Sequence, residues 1–205
     1  MPRSPIAPSK PAPITSQLRI IGGQWRGRKL SFPAVDGLRP TGDRIRETLF
    51  NWLAPELAGA RCLDVFAGSG ALGLEALSRG ASYSLLLERD HLAAQSLRNN
   101  LQLLKASAGH LVQTDSLHYL RQGNSGEPFN LVFIDPPFAL NLWAGVIDAL
   151  EQGHWLAEDA SLYIEMPRNQ LIATPPNWRL HRDKQAGQVS YRLYYRQTGQ
   201  PESTP

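Results

Sequence analysis

The 205-residue chain lacks features that would each point to a particular class of protein. Its single cysteine, Cys62, excludes an intramolecular disulfide and a thiolate-rich zinc site. Its five histidines show no metal-ligand spacing, and no apolar run approaches the roughly 20 residues needed to span a bilayer. Residues 1–17 contain five prolines and no apolar core, so they do not form a secretory signal. We therefore expect a cytoplasmic protein with no metal site and no membrane partner.

The net charge of +3 is unevenly distributed along the chain. Residues 1–50 carry a net charge of +6, residues 51–177 carry −6 and residues 178–205 carry +3. An acidic middle between two basic ends predicts a catalytic body with a separate surface that faces a polyanion.

A basic region follows the proline-rich tail, which we expect to be disordered over residues 1–17. Residues 18–30 predict a β-hairpin that turns at Gly22-Gly23, and residues 43–53 predict an amphipathic helix capped by Thr41. Basic side chains interleaved with an aromatic ring suit RNA phosphates and bases, although solvated surface charges are the alternative. We assign residues 18–55 to an RNA-binding extension. Its expected RNA contacts are Arg19, Trp25, Arg26, Arg28, Lys29, Arg39, Arg44 and Arg46.

Strands and helices alternate over residues 56–198, which we assign to one catalytic domain. This alternation predicts an α/β fold with a mostly parallel sheet that is covered by helices on both faces. A hairpin around Ala186-Gly187 closes the sheet with antiparallel strands, and residues 199–205 form a flexible tail. The predicted strands are 61–66, 84–88, 110–114, 129–134, 161–165, 178–183 and 189–196, with helices at 90–104, at 142–150 and between Gly70 and Gly80.

Four acids lie at or just past the ends of consecutive predicted strands: Asp64, Glu88, Asp115 and Asp135. The carboxyl ends of parallel strands share one edge of the sheet, and ligands bind at that edge in open α/β sheets. A single acid in such a position is often a helix cap, but four together predict one acidic cleft.

A glycine-rich loop follows the first strand of this domain and admits two interpretations. Gly68-Ser69-Gly70-Ala71-Leu72-Gly73 matches the dinucleotide-binding pattern, and Glu88 lies about 20 residues further on. However, Asp64 would place negative charge beside a pyrophosphate. S-adenosylmethionine fits better, because Asp64 can face its cationic centre, Glu88 can accept its ribose hydroxyls and Asp115 can accept from its adenine amine. An NAD-dependent oxidoreductase remains the alternative.

The stretch Asp135-Pro136-Pro137-Phe138 ends the most apolar predicted strand. Neither proline can donate to a strand ladder, so the chain must leave the sheet at Asp135. A carboxylate and a carbonyl there can accept the hydrogens of an exocyclic amine while Phe138 stacks on a base. A stiff turn with no ligand is equally consistent with these four residues.

Together these motifs resemble, in order, those of the class I amino-methyltransferases. Those motifs are Asp64-Val65-Phe66-Ala67-Gly68-Ser69-Gly70, Glu88, Asp115 and Asp135-Pro136-Pro137-Phe138. Three further segments are similar to the bacterial RsmD family, whose members methylate N2 of one guanine in 16S rRNA. These segments are Arg19-Ile20-Ile21-Gly22-Gly23, Arg26-Gly27-Arg28 and Arg39-Pro40-Thr41, followed by the helix at 43–53.

The resemblance implies a Rossmann-like fold with a seven-stranded sheet and a set of site residues. Asp135 and the Pro136 carbonyl would receive the guanine amine beside Pro137, and Phe138 would stack on the ring. The cofactor-binding set would comprise Thr41, Asp64, Phe66, Gly68, Gly70, Glu88, Arg89, Asp115, Ser116 and Asp135.

The expected function is methyl transfer from S-adenosylmethionine to guanine N2 in the 16S rRNA of the small ribosomal subunit or of its assembly intermediate. We expect a monomeric enzyme. An adenine-N6 methyltransferase acting on RNA or DNA is the alternative within the class, and a non-catalytic ribosome assembly factor is an alternative outside it. The residues alone do not decide whether the target base is guanine or adenine. They also do not decide whether the substrate is naked rRNA or the assembled small subunit.

Overall fold

The computed structural model describes residues 15–33 and 41–197. Residues 1–14 of the tail predicted at 1–17, the whole tail predicted at 199–205 and the predicted RNA contact Arg39 lie outside these ranges. Residues 15–17, predicted as part of the first tail, belong instead to the opening strand of the hairpin.

A seven-stranded sheet forms the body of the protein. Its strands are β3 (Arg61–Asp64), β4 (Tyr83–Glu88), β5 (Gly109–Gln113), β6 (Phe129–Ile134), β7 (Leu156–Pro167), β8 (Trp178–Ala186) and β9 (Val189–Arg196). Five parallel strands stand in the order β5-β4-β3-β6-β7, and β9 and then β8 extend the sheet with antiparallel pairing. This arrangement confirms the α/β prediction.

Helices cover both faces of the sheet, as predicted. One face packs against α1 (Asp43–Leu53), α2 (Gly73–Ser78) and α3 (His91–Leu104) through two apolar clusters. The opposite face packs against α5 (Trp143–Gln152) and against the short α4 (Ser116–Leu120). Helix α4 was not predicted from the sequence. Within the described residues no helix is both long and apolar enough to cross a membrane.

The strand order reverses between β3 and β6, because β3 is followed outward by β4 and β5 on one side and β6 by β7 on the other. Such a switch point opens a crevice at the carboxyl ends of the strands. The glycine loop follows β3 and the Asp-Pro-Pro-Phe stretch follows β6, so both segments border this crevice.

The N-terminal strands β1 (Thr15–Arg19) and β2 (Lys29–Pro33) form the predicted hairpin, but they do not turn tightly at Gly22-Gly23. Residues 20–28 connect them and include a 3-10 turn at Gly23–Trp25. The glycines instead permit close docking on α2: Gly23 has φ +76°, and a Cβ there would lie 1.8 Å from the Ser78 carbonyl oxygen. The glycine pair is therefore required by a long-range contact.

Candidate active site

The carboxyl ends of β3, β4, β5 and β6 border a cavity of about 440 Å³. All four strand-end acids line it, which confirms their predicted convergence. Of the remaining predicted site residues, Thr41, Phe66, Gly68, Arg89, Ser116 and Pro137 also line the cavity, whereas Gly70, Pro136 and Phe138 do not.

The glycine loop is held by two carboxylates. Buried Asp64 accepts the Gly73 backbone N–H at 2.9 Å, and Glu88 accepts the Gly68 N–H at 2.8 Å. Gly68 has φ +52° and faces the cavity. Gly70, with φ +81°, faces α2 and α3, where a Cβ would lie 2.5 Å from a Leu97 methyl group. Gly70 therefore shapes the loop without lining the cavity.

Burial alters the acid–base behaviour of the cavity wall. Desolvation raises the pKa of Asp64 to about 7, and the Glu88 carboxyl contributes further in the same direction. Burial also raises the pKa of Glu88, although the backbone N–H groups of Asp90 and Gly68 oppose the increase. A cation bound in the cavity would stabilise the ionised form of both groups.

Asp115 both caps a helix and lines the cavity. One carboxylate oxygen accepts the His118 N–H at 2.9 Å at the start of α4, and the other lies 3.9 Å from Arg89. Neighbouring Ser116 donates its hydroxyl to the Val65 carbonyl, which ties α4 to the end of β3. The helix-capping and ligand-facing interpretations of Asp115 are therefore compatible.

Asp135 lies where β6 leaves the sheet, and it accepts a hydrogen bond from the Thr41 hydroxyl at 3.3 Å. Thr41 makes no capping hydrogen bond, since Gly42 is the N-cap residue of α1. Burial, then the neighbouring Glu165 carboxyl, then Asp64 raise the pKa of Asp135 well above its usual value. A carboxyl in this environment is a stronger proton acceptor than an exposed aspartate.

The residues after Asp135 take different positions. Pro136 is buried, whereas Pro137 is exposed and borders the cavity. Phe138 begins a 3-10 turn, the residue is 37% exposed, and its ring centroid lies 5.8 Å from that of buried Trp143. Phe138 is therefore anchored on one side and accessible on the other.

Glu165 and Tyr163, both on β7, were missed as site residues. Glu165 is 4% exposed and accepts the Tyr163 hydroxyl at 2.8 Å, while Trp143 donates to the Glu165 backbone carbonyl at 2.8 Å. Burial raises the pKa of Glu165, and hydrogen bonds from Tyr163 and Thr41 oppose the increase. A signal existed in the sequence: Glu165 ends its predicted strand in the same way as the other acids.

The predicted RNA contacts separate into exposed and buried residues. Arg19, Arg26, Arg28, Lys29 and Arg44 are exposed, and Trp25 is half-buried beside them. Arg19 makes a 3.4 Å ion pair with Asp43, so part of its charge is already neutralised.

The prediction that Arg46 contacts RNA is wrong, because its side chain is fully buried. Its guanidinium binds the Glu75 carboxylate at 3.3 Å, Asp43 at 2.6 Å and the backbone carbonyls of Arg19 and Thr41. Glu75, also unforeseen, accepts the backbone N–H groups of residues 21 and 22 at 2.8 and 2.7 Å. This buried pair joins the hairpin, α1 and α2, and no RNA phosphate can reach it.

Within the described residues no group of three or more histidine, cysteine, aspartate or glutamate side chains is arranged to hold a metal ion. The part of the cavity wall formed by the described residues is nevertheless strongly acidic, and Arg89 is the one basic residue among them. Its acids are Asp64, Glu88, Asp90, Asp115 and Asp135.

Comparison with known proteins gives a consistent result. The family model described as Conserved hypothetical protein 95 matches residues 18–195. The chain is 54% identical to the Escherichia coli K12 protein named Ribosomal RNA small subunit methyltransferase D, over 89% of this chain and 92% of that protein. It is 48% identical to the Haemophilus influenzae protein of the same name, over 87% of this chain and 93% of that protein.

Solved structures agree with the sequence relatives. A putative methyltransferase, yhhF, from Escherichia coli superposes with a TM-score of 0.81 at 55% identity, over 89% of this chain and 99% of that chain. A putative methylase, HI0767, from Haemophilus influenzae superposes with a TM-score of 0.78 at 43% identity, over 89% of this chain and 100% of that chain.

Proposed function

The chain belongs to the Conserved hypothetical protein 95 family, and we propose that it transfers a methyl group from S-adenosylmethionine to the exocyclic N2 of a guanine in 16S rRNA. The observation that carries this proposal is the convergence of four strand-end acids and a glycine loop on one cavity beside Asp135-Pro136-Pro137-Phe138. The names of the Escherichia coli and Haemophilus influenzae relatives support ribosomal RNA of the small subunit as the substrate class.

The acidic wall favours a cationic cofactor over a dinucleotide. Among the described residues, five acids and one basic residue line the cavity, and a pyrophosphate would add two negative charges to that surface. S-adenosylmethionine instead carries a sulfonium and an ammonium group, which ionised carboxylates stabilise. We therefore assign the cavity to S-adenosylmethionine.

Each part of the cofactor has candidate partners in the wall. Glu88 has free lone pairs for the ribose hydroxyls, and Asp115 with Ser116 lies where an adenine amine can be recognised. Gly68, with φ +52°, would permit close approach of the backbone to the cofactor, and Thr41 and Asp64 of the cavity lining would hold its methionine end.

Bound S-adenosylmethionine supplies an electrophilic methyl group on a sulfonium that leaves as a neutral thioether. The protein's contribution is orientation of the nucleophile. Asp135 and the Pro136 carbonyl at the edge of the cavity would accept the two amine hydrogens and so orient the nitrogen lone pair for attack. Orientation of this kind contributes several kcal/mol in general, with about 7–11 kcal/mol as the upper range.

The proton released after transfer moves from the methylated nitrogen to the Asp135 carboxylate. The raised pKa of Asp135 makes this acceptance favourable once the new C–N bond has formed. Phe138 offers its accessible side for stacking on the guanine, which must leave its own base stack to enter the site.

The hairpin supplies the RNA-binding surface. Arg26, Arg28 and Lys29 are exposed next to half-buried Trp25, so phosphates and an unstacked base can be bound together. We propose that the enzyme acts as a monomer where small ribosomal subunits assemble, in the cytoplasm.

The test is transfer of a labelled methyl group to small ribosomal subunits that lack the modification, followed by nucleoside mass spectrometry. We expect N2-methylguanine at one position. Detection of N6-methyladenine would instead assign the adenine specificity. Tight binding to subunits without methyl transfer would identify a non-catalytic assembly factor and overturn the proposal.

A further inference from the structure

Strand β8 is the exposed outer edge of the sheet, and its cations share one face. Directly opposite residues in an antiparallel pair project from the same face. Three cations of β8 are each opposite a β9 residue that packs toward α1. These cations are Arg179, Arg182 and Lys184, and all three are exposed.

The single acid of β8, Asp183, lies on the other face, where it is already neutralised. It accepts from Arg192 at 3.0 Å and from Ser190 at 3.4 Å. None of the three cations has a carboxylate partner among residues 15–33 and 41–197, and the Lys184 ammonium lies 5.7 Å from the centre of the Trp52 ring. The unpaired cations of β8 therefore lie on the α1 side, where Glu56 accepts the hydroxyl of Tyr195, the residue opposite Arg179.

The register of the sheet connects this positive face to the catalytic acid. Ile134 of β6 pairs with Ile164 of β7, so the residues that follow them, Asp135 and Glu165, are neighbours. On the next two strands, Glu165 pairs with Tyr191 of β9, and Tyr191 pairs with Lys184 of β8. Three steps between neighbouring strands separate Lys184 from Asp135, a distance of about 14 Å. A stacked RNA strand covers that distance in about four nucleotides.

The basic hairpin lies on the same side of the sheet. Helix α2 packs against α1 in one apolar cluster and against the hairpin strands in another, and α1 carries exposed Arg44. Among residues 15–33 and 41–197, exposed cations with no carboxylate partner therefore lie on this side of the sheet both in the hairpin, at Arg26, Arg28 and Lys29, and on β8.

We propose that the α1-side face of β8 binds the phosphates of the RNA strand that flanks the target base, opposite the hairpin, so that the protein holds its substrate from two sides. The proposal rests on the RNA substrate proposed above and adds the surface and the position of the flanking strand. The competing explanation is that these charges only prevent an exposed edge strand from pairing with another sheet.

The test compares Arg182→Gln/Lys184→Gln with the matched control Lys105→Gln/Arg121→Gln, which removes two exposed cations elsewhere. Affinity for a fluorescently labelled fragment of unmodified 16S rRNA is titrated over a range of salt concentrations. Two lost contacts to single-stranded RNA should lower the slope of log affinity against log salt by about 1.4. We expect this smaller slope and several-fold weaker RNA binding for Arg182→Gln/Lys184→Gln (the β8 variant) and not for the control. The affinity of both variants for S-adenosylmethionine should be unchanged.

Equal salt slopes for the β8 variant and the control would overturn the proposal. Self-association of the β8 variant in sedimentation, with unchanged RNA affinity, would establish edge protection instead. Because binding is measured without turnover, a wild-type protein that binds the fragment but transfers no methyl group would refute the proposed function and leave the surface assignment standing.

Discussion

Asp135 lies beside Glu165 at the point where two neighbouring parallel strands, β6 and β7, reach the carboxyl edge of the sheet. Thr41 interacts with both carboxyls, and the Tyr163 hydroxyl donates a hydrogen bond to the Glu165 carboxylate. None of the hydrogen bonds or ion pairs of the two carboxyls within residues 15–33 and 41–197 involves a cation. The titratable groups that face this pair are Asp64, Tyr163 and Tyr191.

Glu165→Gln should shift the pH dependence of methyl transfer. The substitution retains the side-chain volume and the hydrogen bond from Tyr163 but removes a charge that raises the pKa of Asp135. In the proposed mechanism transfer requires ionised Asp135, so the rate should rise with pH through the Asp135 pKa, and this rise should move to lower pH in the variant. The measurement is kcat/KM against pH, with exposed Glu127→Gln as control. A midpoint identical to that of the wild type would restrict Glu165 to a structural role.

Asp135→Asn should abolish the orientation of the amine while preserving the cavity. Asparagine can still accept from Thr41 but loses the negative charge that accepts the amine proton. We expect kcat to fall by about 100-fold or more, as misplacement of a reacting group commonly does. Calorimetric titration should show S-adenosylmethionine binding retained, and exposed Asp148→Asn should leave both properties unchanged. A variant with near-normal turnover would exclude Asp135 as the residue that receives the amine.

Arg26→Gln/Arg28→Gln/Lys29→Gln should weaken RNA binding and its salt dependence together. Three lost phosphate contacts to single-stranded RNA lower the salt slope by about 2. The expected change is in the KM for RNA, with kcat at saturating RNA retained, because these side chains lie outside the cavity. If the slope stays at the wild-type value, the hairpin charges are only solvated surface groups.

Arg46→Ala should destabilise the fold and should not act through RNA contacts. Removal of one partner leaves the buried Glu75 carboxylate short of a counter-charge, which in general costs about 3–5 kcal/mol. The loss of unfolding free energy should lie near the lower end of this range, since Arg79 still pairs with Glu75 at 2.6 Å. Denaturant unfolding measures the loss, and exposed Arg44→Ala on the same helix serves as control. Equal unfolding free energies for the two variants would contradict the structural role of Arg46.

Ionisation of the buried Asp64 carboxyl should lower the stability of the ligand-free protein as pH rises through the weakly acidic range. Its pKa is raised from 3.8 to about 7 by burial, so the folded state holds a proton that the unfolded state has lost. The free energy of unfolding therefore decreases with pH between these two values and levels off above about 7. Asp64→Asn should reduce this slope in unfolding experiments between pH 4 and pH 8. A slope that is the same in the variant and in the wild type would show that Asp64 does not titrate in this range.

Much of the catalytic edge was determined by the sequence alone. An acid at the end of an apolar strand can be identified from the local sequence pattern. Because the carboxyl ends of parallel strands share one edge of the sheet, such acids come together in the fold. For this reason the convergence of Asp64, Glu88, Asp115 and Asp135 was predictable, and the strand β6 was placed at its observed bounds.

The tertiary structure decided which charges are buried. Arg46 has the same local pattern as exposed Arg44, and its ion pair with Glu75 joins residues 29 positions apart. Gly22 and Gly23 resemble a hairpin turn, yet their close contacts are with α2, more than 50 residues further along the chain. Glu165 acquires its role only because β7 pairs beside β6. Local periodicity reports helices, strands and their ends, whereas desolvation of a charge depends on what the folded chain packs against it.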